Sequence, residues 1–72
     1  MKEEKKEQPE WVVELAMDYA KRTYTNKRIG LAESYGYMPE HCLKVQADDE
    51  IGAFHAAHKI LKGIGFAVDY AG

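Results

Sequence analysis

Four side chains in this sequence have the chemistry of metal ligands or nucleophiles, and they are His41, Cys42, His55 and His58. Imidazole and thiolate groups are the usual ligands of zinc, and a thiolate beside an imidazole can act as a nucleophile. A helix would place His55 and His58 on one face. However, the spacing matches no structural zinc pattern, and Cys42 is the single cysteine. We therefore predict no metal, no cofactor and no catalytic residue, and these four side chains are the only candidates for a metal site.

The acidic run 48–50 could also support acid–base chemistry. It immediately precedes an apolar pattern with helical spacing. At a helix N-terminus, carboxylates cap free backbone N–H groups and complement the positive end of the helix dipole. The segment 62–65, KGIG, resembles a phosphate-binding loop, but it lies at the electronegative end of the same helix. Gly63 or Gly65 is expected to end this helix in a left-handed conformation. The sequence therefore indicates that the protein is not an enzyme.

The charge and hydropathy of the chain predict its compartment and exclude several partners. The 72 residues have a formal net charge of −2 and a pI of about 5.9, so no basic field attracts a nucleic-acid backbone. No run of about eighteen apolar residues is present to span a membrane. The first residues lack the apolar core of a signal peptide, and a single free thiol suits a reducing compartment. We expect a cytoplasmic protein.

The composition divides the chain into a disordered charged tail, residues 1–8, and a single compact domain, residues 9–72. The tail has six charged residues and one apolar residue, which is too little apolar surface to offset the entropy of ordering. The domain is small for one hydrophobic core, and domains of this size often gain stability from a partner subunit. Self-association as a homodimer is therefore one of our expectations.

The hydrophobic periodicity predicts five elements in the order α-β-β-α-β. Apolar residues recur at helical spacing over 10–24 and again over 51–61, where Asp48 or Asp49 could begin the second helix and Gly63 or Gly65 could end it. Large and small residues alternate over 28–37, and apolar residues take every second position over 43–47 and 66–70, which is typical of strands. The predicted fold is an α+β two-layer domain, in which two helices cover a three-stranded sheet. The first two strands are expected to form a hairpin.

Residues 28–46 also allow a second interpretation. The segment 31–37, LAESYGY, resembles the turn of a helix-turn-helix, and Pro39 could begin the second helix of that motif. The resemblance implies an all-α fold and a DNA-binding regulator, with helix across 31–35 and 39–46. The second helix would carry one lysine and no arginine, which leaves few contacts to phosphates or base edges. We keep this interpretation as the alternative.

The aromatic residues carry the leading functional hypothesis. The chain has five tyrosines, one tryptophan and two phenylalanines, and protein interfaces are enriched in tyrosine and tryptophan. Periodicity assigns Tyr19 and Phe54 to the core. The aromatic residues expected at the surface are Trp11, Tyr24, Tyr35 and Tyr37. We therefore predict a non-enzymatic small modulator, inhibitor or adaptor that binds a protein partner through these four side chains.

Overall fold

The computed structural model of the protein describes residues 8–69. The predicted disordered tail lies outside the described residues, apart from Gln8. The elements in chain order are β1 (Glu10–Asp18), β2 (Thr23–Leu31), a short 3-10 helix (Ala32–Ser34), β3 (Cys42–Gln46), α1 (Glu50–Gly63) and β4 (Ala67–Val68). The α+β class is confirmed. The count is different, because the described residues form four strands and one helix rather than three strands and two helices.

β1 is the inner strand around which the sheet is built. The strand order is β3-β1-β2-β4, with β1 antiparallel to both of its neighbours and β4 parallel to β2. Consecutive side chains of a strand point to opposite faces, and the neighbours Val12 and Val13 are both 0% exposed. β1 is therefore buried on both faces near Val12 and Val13, which explains why apolar residues follow one another over 11–13.

The predicted helix over 10–24 is wrong, since these residues form β1, a turn and the start of β2. A short buried strand and a buried helix can share one apolar pattern, and here the β-branched residues Val12 and Val13 favour the strand. The turn at 19–22 contains no glycine or proline, so the sequence shows no break there. Arg22 takes the left-handed conformation, with φ 55°, that glycine usually supplies in such turns.

The predicted hairpin between 28–37 and 43–47 is also wrong. β2 ends at Leu31, which lies opposite Trp11 of β1. β3 pairs with the other side of β1 instead of with β2. The alternative helix-turn-helix is not found either, because 28–46 contains the end of β2, one 3-10 turn, a loop and β3.

The third predicted strand and the second predicted helix are close to what the structure contains. α1 begins after Asp49, whose Oδ1 accepts a hydrogen bond of 2.8 Å from the Gly52 backbone N–H, as expected of an N-cap. Past its end, Gly65 is left-handed with φ 94°, as predicted. The final strand, predicted over 66–70, is limited to two residues in the described part of the chain.

The core lies between α1 and one face of the sheet. α1 contributes the buried residues Ala53, Ala57 and Leu61, which recur every four residues and so form one stripe. The sheet and the segment after the helix contribute the remaining buried members, which are Val13, Leu15, Tyr24, Val45, Ala47 and Phe66. No helix in residues 8–69 combines the length and the apolar character required to cross a membrane.

An arginine ties the β1–β2 turn to the end of α1. The Arg22 Nη2 donates to the backbone carbonyl of Ile64 at 2.6 Å, and its Nε donates to that of Gly65 at 3.3 Å. The guanidinium also lies 4.9 Å from the centre of the Phe66 ring. A cation at this position satisfies free carbonyls and complements the negative end of the helix dipole. Arg22 therefore holds the β1–β2 turn against the C-terminal end of α1.

Candidate protein-binding site

The candidate site lies on the face of the sheet that α1 does not cover, here called the far face. Val12 belongs to this face, because its neighbour Val13 packs in the core beneath α1. Val12 lies opposite Gly30 of β2 and Lys44 of β3. It is nevertheless fully buried. The chain that connects β2 to β3 begins directly after Leu31, the last residue of β2. This connection supplies the aromatic side chains of the far face.

Gly30 allows the Tyr35 ring to lie directly on the sheet. A Cβ atom added to Gly30 would be 3.0 Å from the Tyr35 Cε1, which is tighter than most real Cβ contacts. Any other residue at position 30 would therefore require the ring to shift slightly. One of the small residues that alternate over 28–37 therefore has a structural role, because Gly30 admits an aromatic ring to the surface of the sheet.

The Tyr35 side chain is held by stacking and not by its hydroxyl group. The guanidinium carbon of Arg28 lies 4.3 Å from the centre of the Tyr35 ring, in cation–π geometry. The hydroxyl oxygen is buried and has no hydrogen-bond partner in the described residues. Burial raises the pKa of this hydroxyl above its ordinary value, and the positive charge of Arg28 partly offsets the rise. Tyr35 is therefore a neutral, apolar platform.

Tyr37 and Met38 lie on the solvent side of this platform. The Tyr37 ring centre is 5.8 Å from that of Tyr35, and its hydroxyl group donates to the Glu14 Oε1 at 3.3 Å. Met38 contacts the Cys42 thiol, with 3.5 Å between the two sulfur atoms. Tyr37 and Met38 are 55% and 56% exposed. We call these six side chains the far-face cluster: Glu14, Arg28, Tyr35, Tyr37, Met38 and Cys42.

The far-face cluster has the chemistry of a recognition surface. Tyr37 offers a rigid ring with a polar tip, and Met38 offers a polarizable chain that adapts to irregular partner surfaces. Arg28 and Glu14 add one charge of each sign at its base. Tyrosine, methionine and arginine are enriched at protein interfaces. This arrangement can bury an apolar group of a partner and orient it by hydrogen bonds.

The four predicted anchor residues separate into two groups in the structure. Tyr35 and Tyr37 lie together in the far-face cluster. Tyr24 is 1% exposed and packs in the core, so its predicted exposure is wrong. Trp11 is half-buried against the core, and its indole N–H donates to the Ala47 carbonyl at 2.9 Å. Residues 10–24 form strands, so every side-chain orientation that was assigned from helical spacing changes. Tyr24 and Trp11 consequently point to the side of the sheet that α1 covers.

Of the two residues assigned to the core, only Tyr19 shows the effect of the wrong period. Tyr19 lies in the β1–β2 turn and is 62% exposed, with its ring 6.0 Å from that of Phe66. Phe54 lies on α1, where the helical prediction holds, and it is half-buried. Met38 and Arg28 belong to the site although the sequence analysis did not select them. Arg28 could have been found from its position two residues before Gly30, on the same side of the alternating segment 28–37, whereas no sequence pattern marks Met38.

The candidate metal ligands occupy separate environments. His41 lies beside the Tyr19 ring, at 6.2 Å between centres, whereas the Cys42 thiol is near the Pro39 carbonyl at 3.4 Å. His55 and His58 both lie next to the Phe54 ring on α1. Among residues 8–69, no three His, Cys, Asp or Glu side chains are grouped in a way that could hold a metal ion.

His58 has the packing role that its apolar position indicates. Its ring centre is 6.3 Å from that of Tyr24 and 5.8 Å from that of Phe54. Its Nδ1 is buried and has no hydrogen-bond partner in the described part of the chain. An edge-on contact with Tyr24 and a tilted contact with Phe54 are typical of an aromatic side chain at the rim of a core.

Comparison with known proteins provides no family for this chain, because no family model, curated protein or solved structure matches it.

Proposed function

We propose that the protein is a non-enzymatic binding module, a small modulator or adaptor, that engages a protein partner through the far-face cluster. The observation that carries the proposal is the placement of Tyr37 and Met38. These neighbouring large side chains are each more than half exposed, and they project from a base of packed aromatic and charged groups. Exposed residues of these types in one place mark interaction sites more often than isolated apolar residues do.

The base of the cluster supports this proposal because it reduces the entropy lost on binding. The Tyr35 ring is fixed between Gly30 and Arg28. Tyr37 is restrained by its contact with that ring and by its hydrogen bond to Glu14. Side chains that are ordered before binding lose less conformational freedom when a partner arrives. Tyr37 is therefore the residue that we expect to be the main anchor.

The mechanism that we propose is docking. Tyr37 and Met38 enter an apolar depression of the partner, and Glu14 and Arg28 select polar groups at its rim. The rest of the small domain then covers the neighbouring surface of the partner and blocks access to it. The half-buried free thiol of Cys42 suits a reducing compartment, so we place this activity in the cytoplasm.

Affinity capture followed by titration tests the proposal. The wild-type protein is used to capture and identify a partner from the cells that make it, and the purified partner is then titrated with Tyr37→Ser. If Tyr37 is a binding hot spot, the substitution weakens binding by more than about 1 kcal/mol, which is roughly fivefold or more in Kd.

The matched control is Tyr19→Ser, since Tyr19 is also a largely exposed tyrosine but lies in the β1–β2 turn, outside the far-face cluster. We expect this variant to bind like the wild type. Equal affinity for the wild type and Tyr37→Ser would overturn the assignment of the far face. Loss of binding in Tyr19→Ser alone would move the site to the turn.

A further inference from the structure

The two edges of the sheet differ in how they are protected. On one side, β2 is covered in part by β4, and the register with β1 shifts next to Glu14 so that Lys27 has no partner. That bulge and the adjacent charged residues Lys27 and Arg28 hinder the addition of another strand. On the other side, β3 has no bulge and no proline, and Lys44 is its single charged residue. Of the two edges that residues 8–69 form, β3 is the open one.

The backbone of β3 presents hydrogen-bonding groups to solvent at alternate residues. The His41 carbonyl accepts from the Leu15 N–H, and the Ala47 N–H donates to the Pro9 carbonyl, so odd-numbered residues face β1. In an antiparallel pair, the residues between them direct their N–H and C=O groups outward. These residues are Cys42, Lys44 and Gln46. Within residues 8–69, β3 pairs with β1 alone.

The α1 side of this edge is apolar. Leu43, Val45 and Ala47 point towards the helix and belong to the core or pack against it. Ile60 of α1 is 48% exposed and lies on the β3 side of the helix. Its side follows from His58, two residues earlier and therefore about 160° around the helix, whose ring lies next to that of Tyr24 on β2.

We propose that a second copy of this chain pairs with the β3 edge, antiparallel and about a two-fold axis, to give one continuous sheet. The register that we assign places Val45 opposite Val45 of the second copy and Leu43 opposite Ala47. Lys44 then lies opposite Gln46, which avoids the direct Lys44–Lys44 contact of the register centred on Lys44. Ile60 of each copy lies over the junction on the α1 side.

Three features of the edge favour a second copy as the occupant. The outward N–H and C=O groups of Lys44 and Gln46 meet those of a second copy in the assigned register, as an isologous interface requires. No like charges face each other directly across the axis in that register. The core is small, so a dimer supplies the additional buried surface that domains of this size need. The pairing uses backbone groups of β3 and none of the side chains of the far-face cluster, so the dimer does not depend on the proposed function.

Sedimentation equilibrium of the full chain over a wide concentration range tests the dimer. Lys44→Pro removes an outward-facing N–H and retains the bonds of β3 to β1, so it should fold but not pair. Ile60→Glu places a carboxylate over the junction. We expect each variant to raise the dimer Kd by roughly tenfold or more. The matched control is Ile51→Glu, because Ile51 is 68% exposed on the other side of α1.

Far-UV circular dichroism establishes that each variant is folded. A concentration-dependent dimer that is weakened by both edge variants and not by Ile51→Glu supports the proposal. A wild-type protein that is monomeric at every concentration overturns it, as does a dimer that Lys44→Pro leaves intact. A dimer that forms only after residues 1–7 are removed also overturns it, because that segment would then be the occupant of the edge.

Discussion

The guanidinium carbon of Arg28 lies 4.3 Å from the centre of the Tyr35 ring, on the face of the sheet that α1 leaves uncovered. The ring also rests on Gly30, two residues beyond Arg28 on the same strand. Together these contacts fix the chain immediately after β2 and set the position from which Tyr37 and Met38 project. The stability of this small cluster and its capacity to bind are therefore linked, and single substitutions with matched controls can separate the two.

Arg28→Ala should destabilise the fold modestly, because it removes the cation from the Tyr35 ring. At a surface site, a cation–π contact contributes about 0.5–1 kcal/mol. Urea unfolding measures this difference. Lys27→Ala is the control, since Lys27 is an exposed cation next to Arg28 in the bulge. Equal effects of the two substitutions would mean that the Arg28–Tyr35 contact contributes nothing specific.

Gly30→Ala should displace the Tyr35 ring, because the added methyl group would lie 3.0 Å from its Cε1. Overpacking of this kind typically costs about 1–3 kcal/mol. We also expect weaker partner binding, since the Tyr37 ring contacts the displaced ring. Gly36→Ala is a matched control in the same connection, where an added Cβ meets nothing within 4 Å. A wild-type stability for Gly30→Ala would contradict the close contact.

Tyr35→Phe should leave stability at neutral pH unchanged or raise it by up to about 1 kcal/mol, because it removes a buried hydroxyl group without a partner. Thermal or urea unfolding at pH 7 measures the effect, with Tyr37→Phe as the comparison. Tyr37 donates a hydrogen bond to Glu14, so its substitution should be mildly destabilising. A clear loss of stability in Tyr35→Phe would reveal a hydroxyl partner.

The same substitution should change the dependence of stability on alkaline pH. Burial raises the pKa of Tyr35 in the folded state, so the unfolded chain loses this proton first as the pH rises. The contribution of this pKa difference to the free energy of unfolding is fully present below the ordinary tyrosine pKa of about 10, and it is lost progressively above that pH. Tyr35→Phe should therefore lose less stability than the wild type in this range. If the free energy of unfolding fell equally with pH in the two proteins, the raised pKa of Tyr35 would be contradicted.

The parts of the fold that the sequence predicts are those with local signals. α1 has an aspartate cap, an apolar stripe and a glycine at its end, and each of these acts within a few residues. The assignment of 10–24 fails because its decisive interactions are long-range. Val12 is buried by residues from two other strands and the connection between them, and nothing local distinguishes that burial from the face of a helix.

The candidate site shows the same division between local and tertiary information. Residue type selected Tyr35 and Tyr37, and the structure places both at the surface cluster. Tyr24 was assigned by helical spacing, and its true position depends on the pairing of β2 with β1. Met38 has no pattern of its own, because its exposure follows from the path of a loop. Composition can therefore suggest anchors, whereas their grouping requires the sheet topology.

Arg22 offers a test of how the turn and helix are joined. Arg22→Ala removes two hydrogen bonds to the carbonyls at the end of α1 and the contact with Phe66, so we expect a loss of about 1–3 kcal/mol. Arg22→Gly loses the same contacts but relieves the left-handed backbone, which is unfavourable for alanine by about 1 kcal/mol or more. Arg22→Gly should therefore unfold at a higher urea concentration than Arg22→Ala. The reverse order would contradict the positive φ.

The central claim is that the far-face cluster contacts a protein partner, and site-specific photo-crosslinking tests it most directly. A benzophenone amino acid is placed at position 37 in one variant and at position 51, an exposed residue of α1, in another. Both proteins are irradiated in the cells that make the protein. We predict a discrete crosslinked product with a different protein from position 37 and none from position 51. No product from position 37, or the same products from both positions, would contradict the claim.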